Sequence, residues 1–384
     1  MSAYRLLSGS RWGGRTRTYA AAAALALAAS AVCALIAPGK ADAAPACRTA
    51  ANPYSGARVV RVYDAHGIVV RRYTKGGLTP VYVATADAAH AVARPIMLSR
   101  VNARSTLRPM ILGSRAFVGV NGDFFRNKGD GTSMSVEVVA GRVIKAKAIW
   151  QPALITLTNG RLVYGPLRAN IALTHGSRRY LASVVNDTTM PRNGVSVFTP
   201  SWGAREPMRS TGGWREWVVS HGRVIASHAY ATHAVIPRYG YVVEASGTAA
   251  ARMRAQGWVT GATVGLHTNA ISTMGAVHSA LGAGSRLVHQ GVMDRGGCVN
   301  DQPSGRTSVG IYAGGLKVSL VSFSKGRGMS ERELASFMRS LGVREAVSLD
   351  GGGSSTMASR TRYFTAPRFS TYRAVANGFG FYLK

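Results

Sequence analysis

The residues best suited to chemistry stand in the stretch SLDGGGSSTM, residues 348–357. Asp350 is followed by three glycines, which can adopt backbone dihedrals closed to other residues and bring N–H groups close to a ligand. Consecutive N–H groups that face one concavity bind oxyanions, and the hydroxyl residues that follow add donors for a sugar. The simpler alternative is a tight turn after a strand, in which Asp350 caps its own backbone. The candidate binding residues of this loop are Gly351, Gly352, Gly353, Ser354 and Ser355.

A second polar turn, NGDFF at residues 121–125, follows the apolar run FVGV. It places another candidate catalytic carboxylate, Asp123, at the end of a strand, where a rigid backbone can hold it within the tolerance that catalysis requires. Asn121 and Gly122 are candidate binding residues beside it. Asp and Glu together number only 16 in 384 residues, so an acid in such a position stands out. The alternative is an ordinary Asn-Gly or Gly-Asp turn anchored by two core phenylalanines.

Three further residues are candidates for binding the same ligand. Arg306 precedes an apolar strand, and a guanidinium group matches the geometry of phosphate oxygens. Arg373 and Asn377 lie in the segment YRAVANGFG near the C-terminus. Because the chain holds 47 Lys and Arg residues, neither arginine is a specific signal alone.

Other common chemistries lack their residue patterns. Ser322 and Lys325 match the S-x-x-K pattern of penicillin-binding enzymes, but the S-D-N and K-T-G partners are absent. The G-x-S-x-G and Walker A patterns are absent as well. No H-E-x-x-H or C-x-x-C pair marks a zinc site, so the sequence leaves metal binding unknown.

Hairpins dominate the elements that must position these residues. The stretch ARVVRVYDAHGIVVRRYT alternates with a period of two around His66-Gly67, and similar hairpins are predicted over 135–146, 214–228 and 306–324. The clearest helix begins after Ser330, which forms a capping box with Glu333, and it ends at Gly342. A buried strand, REAVSLD, then leads to Asp350. Many hairpins and few helices predict an α+β fold with a large, mostly antiparallel or mixed β-sheet core.

The first 43 residues are typical of a secretory signal peptide. Four arginines form a basic segment, an alanine-rich apolar stretch runs from residue 19 to 37, and an A-x-A cleavage pattern ends at Ala43. A membrane anchor is the alternative. No later stretch reaches the roughly 18 apolar residues that a transmembrane helix needs. We therefore expect a secreted, extracellular or wall-associated protein without a transmembrane span after cleavage.

The remaining cysteines give a second expectation about export. Cleavage would leave Cys47 and Cys298 of the three cysteines in the chain. Two cysteines in an exported protein favour one disulfide, which would tie the mature N-terminus to a distant loop. Two free thiols are the alternative, because sequence does not show proximity.

The charge of the chain favours polyanionic partners. Five of the 47 basic residues and one of the 16 acidic residues precede residue 44, which leaves a mature net charge of about +27. For an exported protein the accessible polyanions are phosphate-bearing wall polymers, anionic lipid surfaces and extracellular DNA. No helix-turn-helix, zinc-finger or RNA-binding pattern is present, so no specific nucleic acid is predicted as a partner. The alternative is a solvated arginine-rich surface.

Six motifs in order resemble the phosphodiester glycosidase family. They are GVNGDFF, IPRYGYVVEASGTAA, LGAGSRLVHQG, GRTSVGIYAGGLKVSLVSF, GMSERELASFMRSLGVREAVSLDGGGSSTM and YRAVANGFGFYL. The resemblance runs from about residue 110 to the C-terminus and implies a catalytic domain over 110–384, after an arm and hairpin region over 44–109. Two features depart from it: Ser348 stands where an asparagine is common, and the segment 185–215 matches no pattern of the family.

The resemblance implies hydrolysis of a sugar-1-phosphodiester to a free sugar and a phosphomonoester. Asp350 would be the leading catalytic carboxylate and Asp123 the second one. The glycine loop and the two candidate arginines would hold phosphate or sugar oxygens. A divalent cation between the two acids is left open, and no cofactor is certain. The alternatives are a non-catalytic binder of anionic wall glycans, and a basic protein that binds DNA or membranes by charge alone.

Overall fold

A computed structural model of the chain describes residues 50–189, 192–207, 213–294, 302–324 and 326–384. The predicted signal segment and both cysteines of the predicted disulfide, Cys47 and Cys298, lie outside the described residues. Within these residues the helices are α1 Leu107–Ser114, α2 Gly247–Ala255 and α3 Glu331–Ser340, and short 3-10 turns span Ala313–Gly315 and Gly352–Ser354. The first twelve strands are β1 Arg58–Ala65, β2 Ile68–Thr74, β3 Val81–Asp87, β4 Ala91–Met97, β5 Val118–Asn121, β6 Glu137–Val139, β7 Arg142–Lys147, β8 Gln151–Leu157, β9 Leu162–His175, β10 Arg178–Leu181, β11 Val184–Val185 and β12 Val195–Phe198. The others are β13 Trp214–Ser220, β14 Arg223–His228, β15 Gly240–Ser246, β16 Gly265–Ser272, β17 Val277–Gly282, β18 Arg286–His289, β19 Val292–Met293, β20 Arg306–Ile311, β21 Lys317–Phe323, β22 Glu345–Ser348, β23 Met357–Ser359 and β24 Asn377–Leu383.

The strands form three sheets rather than one. The first runs in the order β1-β2-β3-β21-β20-β22-β18-β19, and the smallest in the order β23-β5-β24-β4. The largest runs β10-β9-β8-β17-β6-β7-β11-β12-β15-β13-β14, with β16 paired to β9. Among the pairs that the structure describes, β11 with β12 is parallel and the others are antiparallel. The predicted α+β class with a β-rich core and few helices is confirmed.

The predicted hairpins are present at their predicted positions. The pairs β1–β2, β6–β7, β13–β14 and β20–β21 are hairpin neighbours, with a shift in register in the first three. Helix α1 was not predicted, because its sequence LRPMILGS contains a proline and a glycine. Pro109 lies in the first turn, where its missing N–H removes no helical hydrogen bond. The long strand β9 was not predicted either.

Helix α3 fixes the strand that leads to Asp350. The Ser330 hydroxyl accepts a hydrogen bond from the Glu333 amide at 3.2 Å, and Glu333 Oε2 accepts one from the Ser330 amide at 2.9 Å. The predicted capping box is therefore present. Leu334, Phe337 and Met338 are buried in a cluster that also contains Ala346 of β22, so the apolar face of the helix holds β22 in place.

Removing the cap should destabilise the fold by a measurable amount. Ser330→Ala leaves the Glu333 amide without its acceptor, so we expect the free energy of unfolding to fall by about 1 kcal/mol. Urea unfolding with linear extrapolation measures this change. The exposed Ser55, changed to Ala, is the matched control and should unfold like the wild type. Equal stability of all three proteins would contradict the role of the cap.

The unmatched segment 185–215 contributes to a local core. Trp202 is buried against Phe198 in an edge-to-face contact with ring centroids 5.3 Å apart. Both side chains belong to a hydrophobic cluster with Val101 and Ile236. Within the described residues no helix is long and apolar enough to cross a membrane.

Candidate active site

The ends of strands from two sheets meet at the predicted loop. In the eight-stranded sheet β20 and β22 pair with Ser308 opposite Ser348, so the end of β22 lies beside the start of β20. In the four-stranded sheet β5 and β24 pair with Asn121 opposite Gly378. The amide of Asp350 donates a hydrogen bond to the carbonyl of Gly122 at 3.0 Å, which joins the two strand ends directly. The two polar turns picked out in the sequence are therefore neighbours.

The Asn121 side chain fixes the conformation of the Asp350 loop by hydrogen bonds. This side chain is fully buried, and its Nδ2 donates to the Asp350 carbonyl at 2.6 Å. Its Oδ1 accepts from the Thr356 amide at 3.0 Å and from the Thr307 hydroxyl at 2.7 Å. One amide side chain therefore binds both ends of the loop and the neighbouring strand β20.

Asn377 fixes the turn at residues 121–125 in a similar way, by hydrogen bonds of its side chain. Its Oδ1 accepts from the Asp123 amide at 2.8 Å, and its Nδ2 donates to Glu137 Oε1 at 2.7 Å. A Cβ atom at Gly122 would lie 2.2 Å from Asn377 Oδ1, so the turn has no room for a larger residue there. Gly122 and Asn377 thus shape the site rather than face solvent.

Asp123 is a buried carboxyl group under the loop. It is 2% exposed, and its Oδ2 accepts from the Ser135 amide at 2.8 Å. Its Oδ1 lies 3.4 Å from the Ser135 hydroxyl. Burial raises the pKa of Asp123 to about 7, although the Ser135 hydrogen bonds and the charge of Lys145 oppose that shift.

A chain of buried charges continues from this carboxyl group. Lys145 lies opposite Glu137 in the β6–β7 hairpin, and its Nζ donates to Asp187 at 2.5 Å. Asp187 in turn accepts from Arg126 at 3.0 Å. Burial raises the pKa of Glu137. Burial also acts to raise the pKa of Asp187, but the charge of Lys145 and the hydrogen bonds to Asp187 outweigh it, so that the pKa of Asp187 lies below its usual range. Sequence reasoning missed these four residues, Arg126, Glu137, Lys145 and Asp187. The signal that could have found them was the pair of opposite charges, Glu137 and Lys145, at facing positions of one hairpin.

The raised pKa of Asp123 makes stability depend on pH. The unfolded chain loses this proton near pH 4, whereas the fold keeps it until about pH 7, so the free energy of unfolding falls as the pH rises between those values. Asp123→Asn should remove that part of the slope. Urea unfolding from pH 4 to 8 measures the slope, and Asp64→Asn, on exposed β1, is the control. An unchanged slope in Asp123→Asn would show that Asp123 ionises in the fold as it does in water.

Asp350 lies closer to the surface than Asp123. It is partly buried, and burial raises the pKa of its carboxyl group. Hydrogen bonds from the Ser354 hydroxyl and from the amide of Gly351, together with the charge of Arg373, oppose the shift. Arg373 Nη1 also donates to Ser354 Oγ at 3.3 Å. The structure therefore brings together one carboxyl, one hydroxyl and one guanidinium group at the loop.

Most backbone amides of the glycine loop are used inside the protein. The Gly352 amide donates to the Gly305 carbonyl at 2.8 Å, and the Ser354 amide donates to the Gly351 carbonyl at 3.1 Å. Gly352 has φ of 60°, which a residue with a side chain rarely adopts. The Ser355 hydroxyl is buried, and no hydrogen-bond partner for it is found among the described residues.

Two exposed aromatic rings flank the loop. A Cβ atom at Gly353 would lie 2.9 Å from Phe369, which is 63% exposed. On the other side Phe124 is 39% exposed, and its ring is 2.8 Å from the position of a Cβ at Gly284. Phe125, the second phenylalanine of its turn, is buried instead. The rings form apolar walls beside the polar groups.

Arg306 lies directly under the loop but is directed toward the protein. It is 8% exposed, and its guanidinium donates to the carbonyl of Met329 at 3.2 Å and to that of Gln302 at 2.7 Å. Glu331 Oε1 is 3.9 Å from its Nη1. Burial lowers the pKa of Arg306, and Glu331 opposes the shift. Arg306 therefore fixes the backbone on which Gly351 rests.

The described residues contain no group of three or more His, Cys, Asp or Glu side chains arranged to hold a metal ion. Asp123 and Asp350 do not form part of such a group.

The C-terminal part of the chain matches a known family. The family model for phosphodiester glycosidases covers residues 215–382. This stretch is similar to the phosphodiester glycosidase family. It contains Arg306, the Asp350 loop, Arg373 and Asn377, whereas the turn of Asn121 and Asp123 precedes it. The resemblance predicted from the motifs is confirmed.

Two solved structures share the fold of this chain. A hypothetical protein from Synechocystis superposes with a TM-score of 0.71 at 23% identity, over 85% of this chain and 64% of that one. The chain thus spans less than two thirds of that relative. A candidate exported protein from Burkholderia pseudomallei K96243 has a TM-score of 0.63 at 23% identity, over 81% and 76% of the two chains. These identities show the fold alone.

A more distant structure is the zebrafish N-acetylglucosamine-1-phosphodiester alpha-N-acetylglucosaminidase catalytic domain, auto-inhibited by its pro-peptide. It has a TM-score of 0.40 at 13% identity, over 88% of this chain and 87% of that one. No curated protein matches the chain at a significant level.

Proposed function

We propose that the protein is an exported phosphodiester glycosidase, which hydrolyses a sugar-1-phosphodiester to a free sugar and a phosphomonoester. The observation that carries the proposal is the contact of Asp350 with Ser354, and of Ser354 with Arg373, inside the segment that matches the family. These groups supply a proton acceptor and a phosphate partner in one place, and the buried Ser354 hydroxyl joins the two.

The proposed reaction breaks the bond between sugar C1 and the phosphate oxygen. Asp350 takes a proton from the attacking water, and the water oxygen bonds to C1. The bonding pair stays on the phosphate oxygen, where Arg373 balances the charge. The partly exposed glycines Gly351–Gly353 would contact the sugar and phosphate, whereas the side chains of Ser354 and Ser355 are buried.

Asp123 is the second carboxylate of the proposal. In the described fold it contacts Ser135, and it reaches the loop through the Gly122 carbonyl that accepts from the Asp350 amide. A backbone hydrogen bond therefore connects the turn that holds Asp123 to the Asp350 loop. Asn121, Asn377 and Arg306 hold that backbone in place.

The proposed location and partner rest on charge and on the N-terminal pattern. A secretory signal peptide precedes a mature chain of about +27, which favours an anionic polymer of the cell wall as the source of the substrate. One structural neighbour is a candidate exported protein. A protein that only binds such glycans through the same loop is the alternative.

A panel of sugar-1-phosphodiesters, including a GlcNAc-1-phosphodiester, tests the proposal. The wild type is incubated with each compound, with and without chelator, and free sugar is measured. We expect release from at least one compound, and equal rates with chelator if no metal takes part. Release from none would overturn the enzyme proposal, and loss of release with chelator would assign a divalent cation to the site.

A further inference from the structure

A cavity of about 1010 Å³ lies beside β22, the strand that leads to the Asp350 loop. Strands β8, β9 and β18 line it, together with the turn after β20 and the start of β22. Glu345 of β22 lies at this cavity, whereas Asp350 follows the other end of the strand. Ser285 also lines the cavity and its carbonyl accepts from the Ser348 amide at 2.9 Å, so the cavity extends from Glu345 toward the Asp350 loop.

Aromatic rings form part of the cavity wall. Trp150, Tyr164 and Tyr312 all line it, and Trp150 is 49% exposed. Large aromatic rings with a polar edge are suited to ligands that present both an apolar face and polar groups. A sugar ring has this character, because its C–H groups form a face and its hydroxyl groups surround the edge.

One polar side chain of the lining lacks a protein partner among the described residues. The Nε2 atom of Gln151 is buried and, within the part of the chain that the structure describes, has no hydrogen-bond acceptor. A buried donor without an acceptor is unfavourable, and rotation of this side chain into the cavity would let a ligand oxygen accept from it. Gly165 leaves part of the wall without a side chain, since a Cβ there would lie 2.7 Å from Met274.

The charged groups of the cavity leave a positive excess. Arg286 forms an ion pair with Asp294, and Glu345 accepts from the His289 ring and the Gln290 amide, each at 3.0 Å. Two other arginines line the wall. Arg161 donates to the Gly314 carbonyl at 2.6 Å, whereas the exposed Arg344 guanidinium has no hydrogen-bond acceptor among the described residues. The lining therefore favours a ligand that carries negative charge.

We propose that this cavity is a second, non-catalytic binding site for an anionic glycan, whose sugar rings stack on Trp150 and whose phosphate groups pair with Arg344. The site extends the proposed function, because it would hold a polymeric substrate while the Asp350 loop acts on a sugar-1-phosphodiester. Trp150 and Arg344 determine affinity for polymer and leave the chemical step unchanged.

Binding to immobilised polymers tests the proposal in the Asp350→Asn background, where hydrolysis cannot alter the ligand. The probes are a phosphodiester-linked wall glycan, neutral dextran and inorganic polyphosphate. We expect tighter binding of the wall glycan than of either other polymer. Trp150→Ala should weaken that binding by roughly tenfold, as expected for the loss of one aromatic contact. Arg344→Gln should weaken it and flatten its salt dependence.

Matched variants separate this site from general surface effects. Tyr239→Ala removes an aromatic ring that is 62% exposed outside the cavity, and Arg178→Gln removes an exposed charge on β10. Both of these control variants should bind the wall glycan like the parent. Tyr164→Phe, inside the cavity, removes one hydroxyl group and little packing. It should weaken binding without changing thermal unfolding. Unchanged wall-glycan binding in Trp150→Ala, or equal binding of polyphosphate, would overturn the proposal.

The two proposals fail in different ways. With Asp350 present, Trp150→Ala should hydrolyse a small GlcNAc-1-phosphodiester with unchanged kcat and KM. If the wild type hydrolyses nothing but Trp150-dependent glycan binding is found, the proposed function fails and the second site stands. If hydrolysis is found but Trp150→Ala binds polymer normally, the second site fails alone.

Discussion

Asp350→Asn should lower kcat for a sugar-1-phosphodiester by about 10²–10⁴-fold, the range that a positioned acid or base contributes. The amide keeps the shape of the carboxyl group and can still accept from Ser354 and the Gly351 amide. It cannot take a proton from water, and it removes the charge beside Arg373. Substrate binding should therefore survive, so that KM changes far less than kcat. Initial rates of sugar release and equilibrium binding measure the two effects.

The control for this variant is Asp64→Asn on strand β1, where the carboxylate forms an exposed ion pair with Arg61 at 2.7 Å. Its rates should equal those of the wild type. Wild-type kcat in Asp350→Asn would remove Asp350 from the chemistry. Loss of binding together with activity would instead assign Asp350 to holding the substrate.

Asn121→Ala should have the largest effect on stability. It leaves the Asp350 carbonyl, the Thr307 hydroxyl and the Thr356 amide without their shared partner in a fully buried place. Each unsatisfied group costs about 1–3 kcal/mol, so we expect a loss of several kcal/mol out of the roughly 5–15 kcal/mol of a typical domain. Urea unfolding measures this loss, and activity should fall as the loop loses its shape.

Two variants sharpen this test. Asn121→Asp keeps both acceptor contacts but cannot donate to the Asp350 carbonyl, so it should also destabilise the fold and the loop. Asn170→Ala removes an amide that pairs with Asn269 at 3.1 Å near the surface of β9, and we expect a change within about 0.5 kcal/mol. Equal losses for Asn121→Ala and Asn170→Ala would contradict the role assigned to Asn121.

Local sequence signals predicted the frame of the site well. The capping box at Ser330, the turn at His66-Gly67 and the strand before Asp350 depend on neighbouring residues, which the sequence shows directly. The motif order also predicted the family. The helix α1 was missed because Pro109 weakens the local helical signal although it is tolerated in the first turn.

Long-range contacts could not be predicted from one sequence. The bond from Asn121 to Asp350 joins residues 229 positions apart, and that from Asn377 to Glu137 joins residues 240 apart. The buried pair of Lys145 and Asp187 depends on the same folding. The direction of Arg306 toward two carbonyls, rather than toward solvent, depends on where the segment before it lies.

The most direct test of the proposed reaction is hydrolysis of a GlcNAc-1-phosphodiester in ¹⁸O-labelled water, followed by ³¹P NMR of the product. A phosphodiester glycosidase breaks the bond between C1 and oxygen, so the phosphomonoester should form without ¹⁸O and in equal amount with free sugar. An isotope-shifted phosphomonoester signal would show attack at phosphorus and would contradict the proposed reaction, as would the absence of any turnover.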